Sequence, residues 1–327
     1  MKPLGPMQAA LLRVAGGLAS SRGGRSLLVL IYHRVLTRRD PLLPDEPDAA
    51  GFAAQLDLIV SLFNVLPLPE AVRRLRAGQL PPRAVCITFD DGYANNCEVA
   101  LPLLKSRGIP ATVFVAPGYL SGGRMFNDTV IEAVRRAPAA LDLTREGLGR
   151  HELPDDAARV RAIAAILPVL KYLPQAERLR QAAAIAERVG AELPDDLMMT
   201  EAQVQHLYRE GIGIGAHTVN HPILANADDA TARREIRDSK GRLEDMVGAP
   251  VTTFAYPNGG PVKDYKPRDV ALAREAGFEV AVSTAWGAAT ASSDPLQLPR
   301  IAPWDRTALR FGMRMVRAYR ERTPRFA

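Results

Sequence analysis

Cysteine is scarce in this chain: Cys86 and Cys97 are the only two among 327 residues. Two thiols make neither a disulfide framework nor a zinc motif. A chain of this length needs neither, because folding buries roughly three-quarters of the surface that its unfolded form exposes. Aromatic residues are also few, at 6%. No charge of one sign dominates: 42 Lys and Arg against 36 Asp and Glu leave +6, and the basic residues are scattered apart from the stretch 306–325. A nucleic-acid groove shows dense basic clusters with interleaved aromatics, so no nucleic-acid partner is expected. The small positive excess reads as solubility, with weak attraction to an anionic surface. Long apolar runs are missing too. Without a stretch of about 20 apolar residues, no membrane-spanning helix is expected. Residues 7–21 resemble a signal sequence only faintly, since Arg13 interrupts a short apolar run. An amphipathic surface helix within an N-terminal segment, 1–25, is the better expectation. The location expected from this is cytoplasmic or membrane-associated, with secretion and a peripheral membrane contact left open.

What is present is ordinary globular material, 47% hydrophobic and 24% charged, which excludes a disordered or collagen-like chain. Short apolar runs alternate with amphipathic stretches. SLLVLIYH at 26–33, AVCITFDD at 84–91, ATVFVAP at 111–117, GIGIGAH at 211–217, VTTFAYP at 251–257, FEVAVST at 278–284 and LPRIAP at 298–303 read as strands. Helices are expected around Phe52 to Phe63, Tyr93 to Arg107, Asp128 to Arg136, Ala230 to Val247 and Arg268 to Ala276, several closed by glycine or proline. Strands separated by helices argue for parallel βαβ units. About seven of them in one chain point to a barrel, with one domain over 26–327. The exception is 138–200, rich in Ala and Arg and broken by prolines, which reads as an insertion of three short helices.

The polar ends of the strands carry the chemistry, where a (β/α) barrel keeps its active site. Thr88-Phe89-Asp90-Asp91-Gly92 places two carboxylates after a strand. Asp-Gly is also a common turn and Asp a common helix cap. As a functional pair, one carboxylate binds a metal while the other accepts a proton from water. His217 and His221 are two of only five histidines. Four apart, they read as lying one helical turn apart on the same face, so both imidazoles reach one ion. With Asp91 they make a His-His-Asp set suited to zinc, cobalt, nickel or iron. Phe254-Ala255-Tyr256-Pro257-Asn258-Gly259-Gly260 reads either as a tight turn or as a backbone N–H presented to an oxyanion. His33, after Tyr32, is either a structural histidine or a general acid at the same mouth.

Together these pieces resemble the polysaccharide deacetylases, carbohydrate esterase family 4, over roughly 26–120 and 200–302, with the insertion outside the resemblance. TFDDG at 88–92 and HTVNH at 217–221 carry it. The resemblance implies a distorted (β/α)7 barrel, Asp90 as catalytic base, and Asp91, His217 and His221 as ligands of one divalent ion, zinc first. Two departures matter. The family commonly has Arg-x-Pro-Tyr-Gly in its third motif, where the arginine orients the base; here Ala255 and Asn258 stand at the Arg and Tyr positions. The family also commonly takes its acid histidine from a Leu-x-His motif, and Leu298-Pro299-Arg300-Ile301 has none. The sequence is similar in this to the branch that includes biofilm poly-N-acetylglucosamine deacetylases, whose motifs are permuted and whose acid histidine follows an N-terminal strand ending in Tyr-His. That resemblance makes His33 the acid and Asn258 the oxyanion donor. Arg300 is then a candidate partner for Asp90, and Tyr256 and Arg300 are candidate substrate-binding residues. The implied reaction is metal-dependent removal of N-acetyl groups from a polysaccharide or its lipid-linked precursor. The alternatives are a non-catalytic carbohydrate-binding barrel and a deacetylase of a small or O-acetylated substrate.

Overall fold

The computed structural model describes residues 4–21, 25–303, 305, 307–321 and 326–327; positions 306 and 322–325 of the basic stretch lie outside them. In chain order the elements are α1 (Pro6–Ser21), β1 (Ser26–Tyr32), α2 (Ala49–Leu62), β2 (Asn64–Val65), α3 (Leu68–Arg76), β3 (Ala84–Phe89), a π-helical turn (Asn96–Ala100) running into α4 (Leu101–Lys105), β4 (Thr112–Val115), α5 (Phe126–Arg136), β5 (Ala140–Leu143), β6 (Gly149–Glu152), α6 (Asp156–Lys171), α7 (Gln175–Val189), α8 (Glu201–Arg209), β7 (Gly213–Ala216), α9 (Asp229–Val247), β8 (Thr253–Ala255), α10 (Pro267–Glu275), β9 (Val280–Val282), β10 (Ala289–Thr290) and α11 (Ala308–Ala318).

The main sheet runs β10-β1-β3-β4-β7-β8-β9, with β2 beside the start of β3. All its pairings are parallel except β1 with β10. Every residue of β1 is buried, and the two-residue period of a strand divides them. Leu27 and Val29 join Cys86, Phe114, Ala255 and Val282 in one apolar cluster, the barrel interior. Leu28, Leu30 and Tyr32 pack outward with Phe52, Leu56 and Ile59 of α2. Each such side chain contributes about 1.5–3 kcal/mol by leaving water. The sheet closes through 298–301. Leu298 donates to Ala281 O (2.9 Å) and accepts from Ser283 N (2.8 Å), while Ile301 donates to Val29 O (2.9 Å) and accepts from Ile31 N (3.0 Å). The expected strand over 298–303 is reduced to these bridges because Pro299 and Pro303 lack donors. The distorted (β/α)7 barrel is thus borne out.

Two expectations need correction. The helix expected from Tyr93 to Arg107 is a π turn followed by a short α-helix. Pro102 has no N–H to return to the carbonyl four residues back, which loosens the turn before it. The insertion at 138–200 is not three helices but a β5–β6 hairpin and two helices, α6 and α7. It has its own core, in which Leu141, Leu143, Ile163, Ile166, Leu170 and Ile185 pack against Val130 and Val134 of α5.

Candidate active site

The C-terminal ends of β1, β3, β7 and β8 open into one cavity of about 680 Å³ that holds His33, Asp90, Asp91, His217, His221 and Asn258. The backbone there is bent sharply. Asp91, Thr218, His221 and Asn258 all have left-handed φ, between +51° and +77°, a conformation costing of order 1–3 kcal/mol each for a residue with a side chain. The spacing of four between the histidines therefore does not come from a helix, as the sequence suggested. It comes from a loop that turns twice through the left-handed region. Glu235 of α9, itself buried, holds that loop by accepting from the N–H groups of Val219 and Asn220 (both 2.8 Å) and from the Asn220 amide (2.7 Å). Thr218 Oγ1 accepts from His221 N (3.1 Å).

The result brings the ligating atoms of Asp91, His217 and His221 within 4.8 Å of one another. Asp91 Oδ1 lies 3.4 Å from His217 Nε2 and 3.5 Å from His221 Nε2. His217 donates through Nδ1 to Ala255 O at 2.7 Å, which leaves Nε2 free to face the cavity, the usual arrangement behind a metal-binding imidazole. Burial drives the His221 imidazole down to about 3, with the charges of His217 and Arg178 pushing the same way and Asp91 opposing, so it is neutral. Burial also works to raise the Asp91 carboxyl, but the hydrogen bond from His217 and the neighbouring histidine charges outweigh it and hold the group well below the usual carboxylate range. Two neutral-capable nitrogens and one carboxylate, converging and with open space beside them, fit a divalent ion of the zinc class.

Asp90 points from the same turn and is almost fully buried. Arg300 meets it with two parallel bonds, Nη1 to Oδ1 and Nη2 to Oδ2, both 2.7 Å. Arg300 is itself buried, and two more of its donors go to Ser283 O (2.9 Å) and Thr88 Oγ1 (3.3 Å). Burial raises the Asp90 carboxyl, while the Arg300 and His217 charges pull it below its ordinary value. Arg300 is therefore placed as the orienting partner of Asp90 and not as a substrate-binding residue: four of its five N–H donors are taken inside the barrel and the side chain is fully buried. Its guanidinium also lies 5.8 Å from the centre of the Phe114 ring inside the barrel. Gly215 makes room for that ring: a Cβ there would come within 2.4 Å of Phe114 Cδ1.

Tyr256 is the other correction. Its ring is fully buried and stacks on Tyr265 at 4.0 Å, and its hydroxyl donates to Leu296 O at 2.9 Å. It faces away from the cavity and cannot contact substrate. Asn258 does line the cavity. Its carbonyl accepts from Thr284 Oγ1 (2.9 Å), and its N–H makes no hydrogen bond among the described residues. His33 lines the same cavity, half-buried, with its carbonyl held by the Asn96 side-chain amide at 2.9 Å.

Several residues of the site escaped the sequence reading. Glu46 lines the cavity beside His33, and burial raises its carboxyl. Asp128 is buried in the wall, accepts from Tyr93 Oη at 3.0 Å and lies 3.7 Å from Arg34. Burial lifts it to about 7, with the charge of Asp91 adding and Arg34 opposing. Tyr172 and Lys171, at the end of α6, bring the insertion to the rim. A signal existed for Glu235: with Ala232, Ile236, Ser239 and Leu243 it falls on the apolar face of α9. Nothing in the pattern marked Glu46, which sits in a loop.

The family model described as polysaccharide deacetylase matches residues 77–142 and 155–281, more than half of the chain. Only 143–154 interrupts the match, so it runs through α6 and α7, which the motif comparison places outside. A Bacillus subtilis (strain 168) protein, YxkH, which bears the name of a polysaccharide deacetylase, is 21% identical over 276 residues, or 84% of this chain and 70% of its own. Two solved structures share the fold. The Streptococcus pyogenes deacetylase PplD, in complex with acetate, has a TM-score of 0.60 at 20% identity, with 90% of this chain and 99% of that one covered. IcaB from Ammonifex degensii has a TM-score of 0.57 at 19% identity, with 91% and 98% covered. The chain belongs to the polysaccharide deacetylase family.

Proposed function

We propose that this chain is a metal-dependent N-deacetylase acting on an N-acetylated glycan or its lipid-linked precursor. The observation that carries this is the adjacency of two differently built carboxylates. Asp91 converges with His217 and His221, and Asp90 is locked to Arg300. Asp91, His217 and His221 would hold one divalent ion, zinc by preference, with cobalt, nickel and iron suited to the same donors. Such an ion, when bound, makes water acidic enough to supply hydroxide at neutral pH and polarises an acyl carbonyl.

Asp90 accepts the proton of the attacking water. Its depressed carboxyl keeps it ionised for that task, and the Arg300 fork holds the plane of the carboxylate. The N–H of Asn258, unbonded among the described residues and in a residue that lines the same cavity, is assigned to the oxygen of the tetrahedral adduct. His33 gives a proton to the departing amine nitrogen, which leaves as a neutral amine. Taking the acid from the end of the first strand matches the permuted branch, and the side-chain cavity shared by His33 and Asp90 supports that assignment. The fork between Arg300 and Asp90 also favours an enzyme over a sugar-binding barrel. A missing motif arginine would suit such a binder, but Arg300 reaches Asp90 from the closing segment 298–301 instead.

The test is acetate release from N-acetylglucosamine oligomers, measured with the protein as purified, after chelation and after readdition of zinc. Release that is lost on chelation and restored by zinc is expected. His217→Ala/His221→Ala should lose both metal content and turnover. Stoichiometric metal retained in that double variant would sink the ligand assignment, and metal without turnover in the parent protein would favour the binder.

A further inference from the structure

The face of the molecule built by α1 and α11 is unlike the surface around the cavity. Along α1, Leu12, Gly16, Ala19 and Ser20 face inward. On the opposite side Met7, Leu11, Val14 and Leu18 are exposed by 75, 63, 63 and 71%. At 100° per residue these four fall within about 60° of one another, a continuous outward apolar stripe. An outer helix normally turns polar residues that way, and Arg13 is the only charged residue in α1.

The stripe continues onto α11. The two helices run side by side at close range: Leu12 Cδ1 would be 2.5 Å from a Cβ at Gly312, and Val316 lies 3.7 Å from a Cβ at Gly16. Leu309 and Met313 of α11 are exposed next to this seam. Trp286, also partly exposed, lies under the Arg314 guanidinium of α11, 5.7 Å away. Arg310, Arg317 and Arg320 are exposed on the flank, and none makes an ion pair among the described residues. No helix among the described residues is long and apolar enough to cross a membrane.

We propose that this face docks on an anionic phospholipid surface, with the α1 stripe, Leu309, Met313 and Trp286 entering the headgroup boundary and the arginines meeting lipid phosphates. The pattern is that of an interfacial helix pair: apolar and tryptophan side chains on one face, unpaired cations beside them, too short to span. The cations select an anionic bilayer over a second copy of the chain, because two such faces brought together would oppose their own arginines. This docking is independent of the deacetylase reading, since it is read without turnover.

The test is co-sedimentation of the full chain with vesicles of phosphatidylglycerol and phosphatidylcholine, against vesicles of phosphatidylcholine alone, at low and high salt. Binding to the anionic vesicles is expected, weakened at least tenfold by high salt and by omission of the anionic lipid. Leu11→Glu/Leu18→Glu should abolish it while leaving the thermal midpoint unchanged, because both side chains are already in solvent. Arg310→Gln/Arg317→Gln/Arg320→Gln should reduce it to the level seen with neutral lipid. Absence of binding to anionic vesicles, or binding unaffected by Leu11→Glu/Leu18→Glu, overturns the proposal. So does a concentration-dependent dimer that the leucine variant dissolves, since the face would then be covered by a second copy.

Discussion

The two walls of the cavity treat their carboxylates in opposite ways. On one wall Asp90 and Asp91 are buried and yet held below the ordinary carboxylate range. On the other, buried Asp128 and half-buried Glu46 are pushed up, Asp128 to about 7. Desolvation acts on all four in the same direction. What separates them is the charged hydrogen-bond donor at close range. Asp90 has a two-bond fork from Arg300 at 2.7 Å, and Asp91 has two imidazoles within 3.5 Å. Asp128 has only Arg34, at 3.7 Å and without a hydrogen bond, and it also feels the negative charge of Asp91. Burial alone makes a proton carrier of a carboxyl; a well-placed cation makes it a permanent base or ligand.

The largest expected effect comes from removing the base itself. Asp90→Asn preserves shape, so metal content should stay at one equivalent while kcat falls by about 10²–10⁴, the usual contribution of a positioned general base. Loss of metal in this variant but not in Asp91→Asn would reverse the two roles.

Next is the cation that distinguishes the walls. Arg300→Met leaves a buried carboxylate without its partner, which costs about 3–5 kcal/mol of stability, readable by chemical denaturation. The Asp90 carboxyl should then rise, as Asp128 does. The base would be protonated at a higher pH, and the acidic limb of the kcat/KM profile should move to higher pH. An unmoved acidic limb would show that Arg300 does not set the ionisation of Asp90.

His33→Gln should lower kcat by about 10²-fold, with metal content unchanged. An unaltered kcat would return His33 to a structural role.

The smallest effect belongs to the second wall. Asp128 binds its proton more tightly folded than unfolded, so the folded state holds more protons between about pH 4 and 7. Its contribution is fully present below the unfolded value and is lost as pH rises through about 7. Asp128→Asn should flatten the decline of stability between about pH 4 and 7 in urea titrations. A slope identical to that of the parent would place Asp128 outside this account.

Much of the site was legible because its elements are local. TFDDG and HTVNH each pack chemistry into five residues at a strand end, and Tyr32-His33 follows an apolar run that is buried throughout. What the local pattern did not carry was non-local. Only the gap in the third motif makes Arg300 a candidate partner for Asp90 in the sequence; Arg300 lies 210 positions away, and barrel closure between 281–283 and 29–31 brings it across. Tyr256 was misplaced for a related reason. A strand shows alternate residues to opposite faces, so Tyr256, which follows the inward-facing Ala255, turns outward with Phe254 into the layer between sheet and helices, where Tyr265 and Leu296 meet it. The paired histidines were read as helical because spacing of four is common to a helix and to a doubly turned loop.

The sequence by itself determined the alternation of strands and helices, the order of the motifs and the identity of the metal-ligand candidates. Those depend on apolar periodicity and on side-chain chemistry, which are properties of neighbours in the chain. Tertiary structure alone decided which wall holds its protons, that the candidate Arg300 meets Asp90 with a two-bond fork, and that Glu235 ties down the histidine loop. Each of these is set by distance and desolvation, and a chain has neither until it has folded.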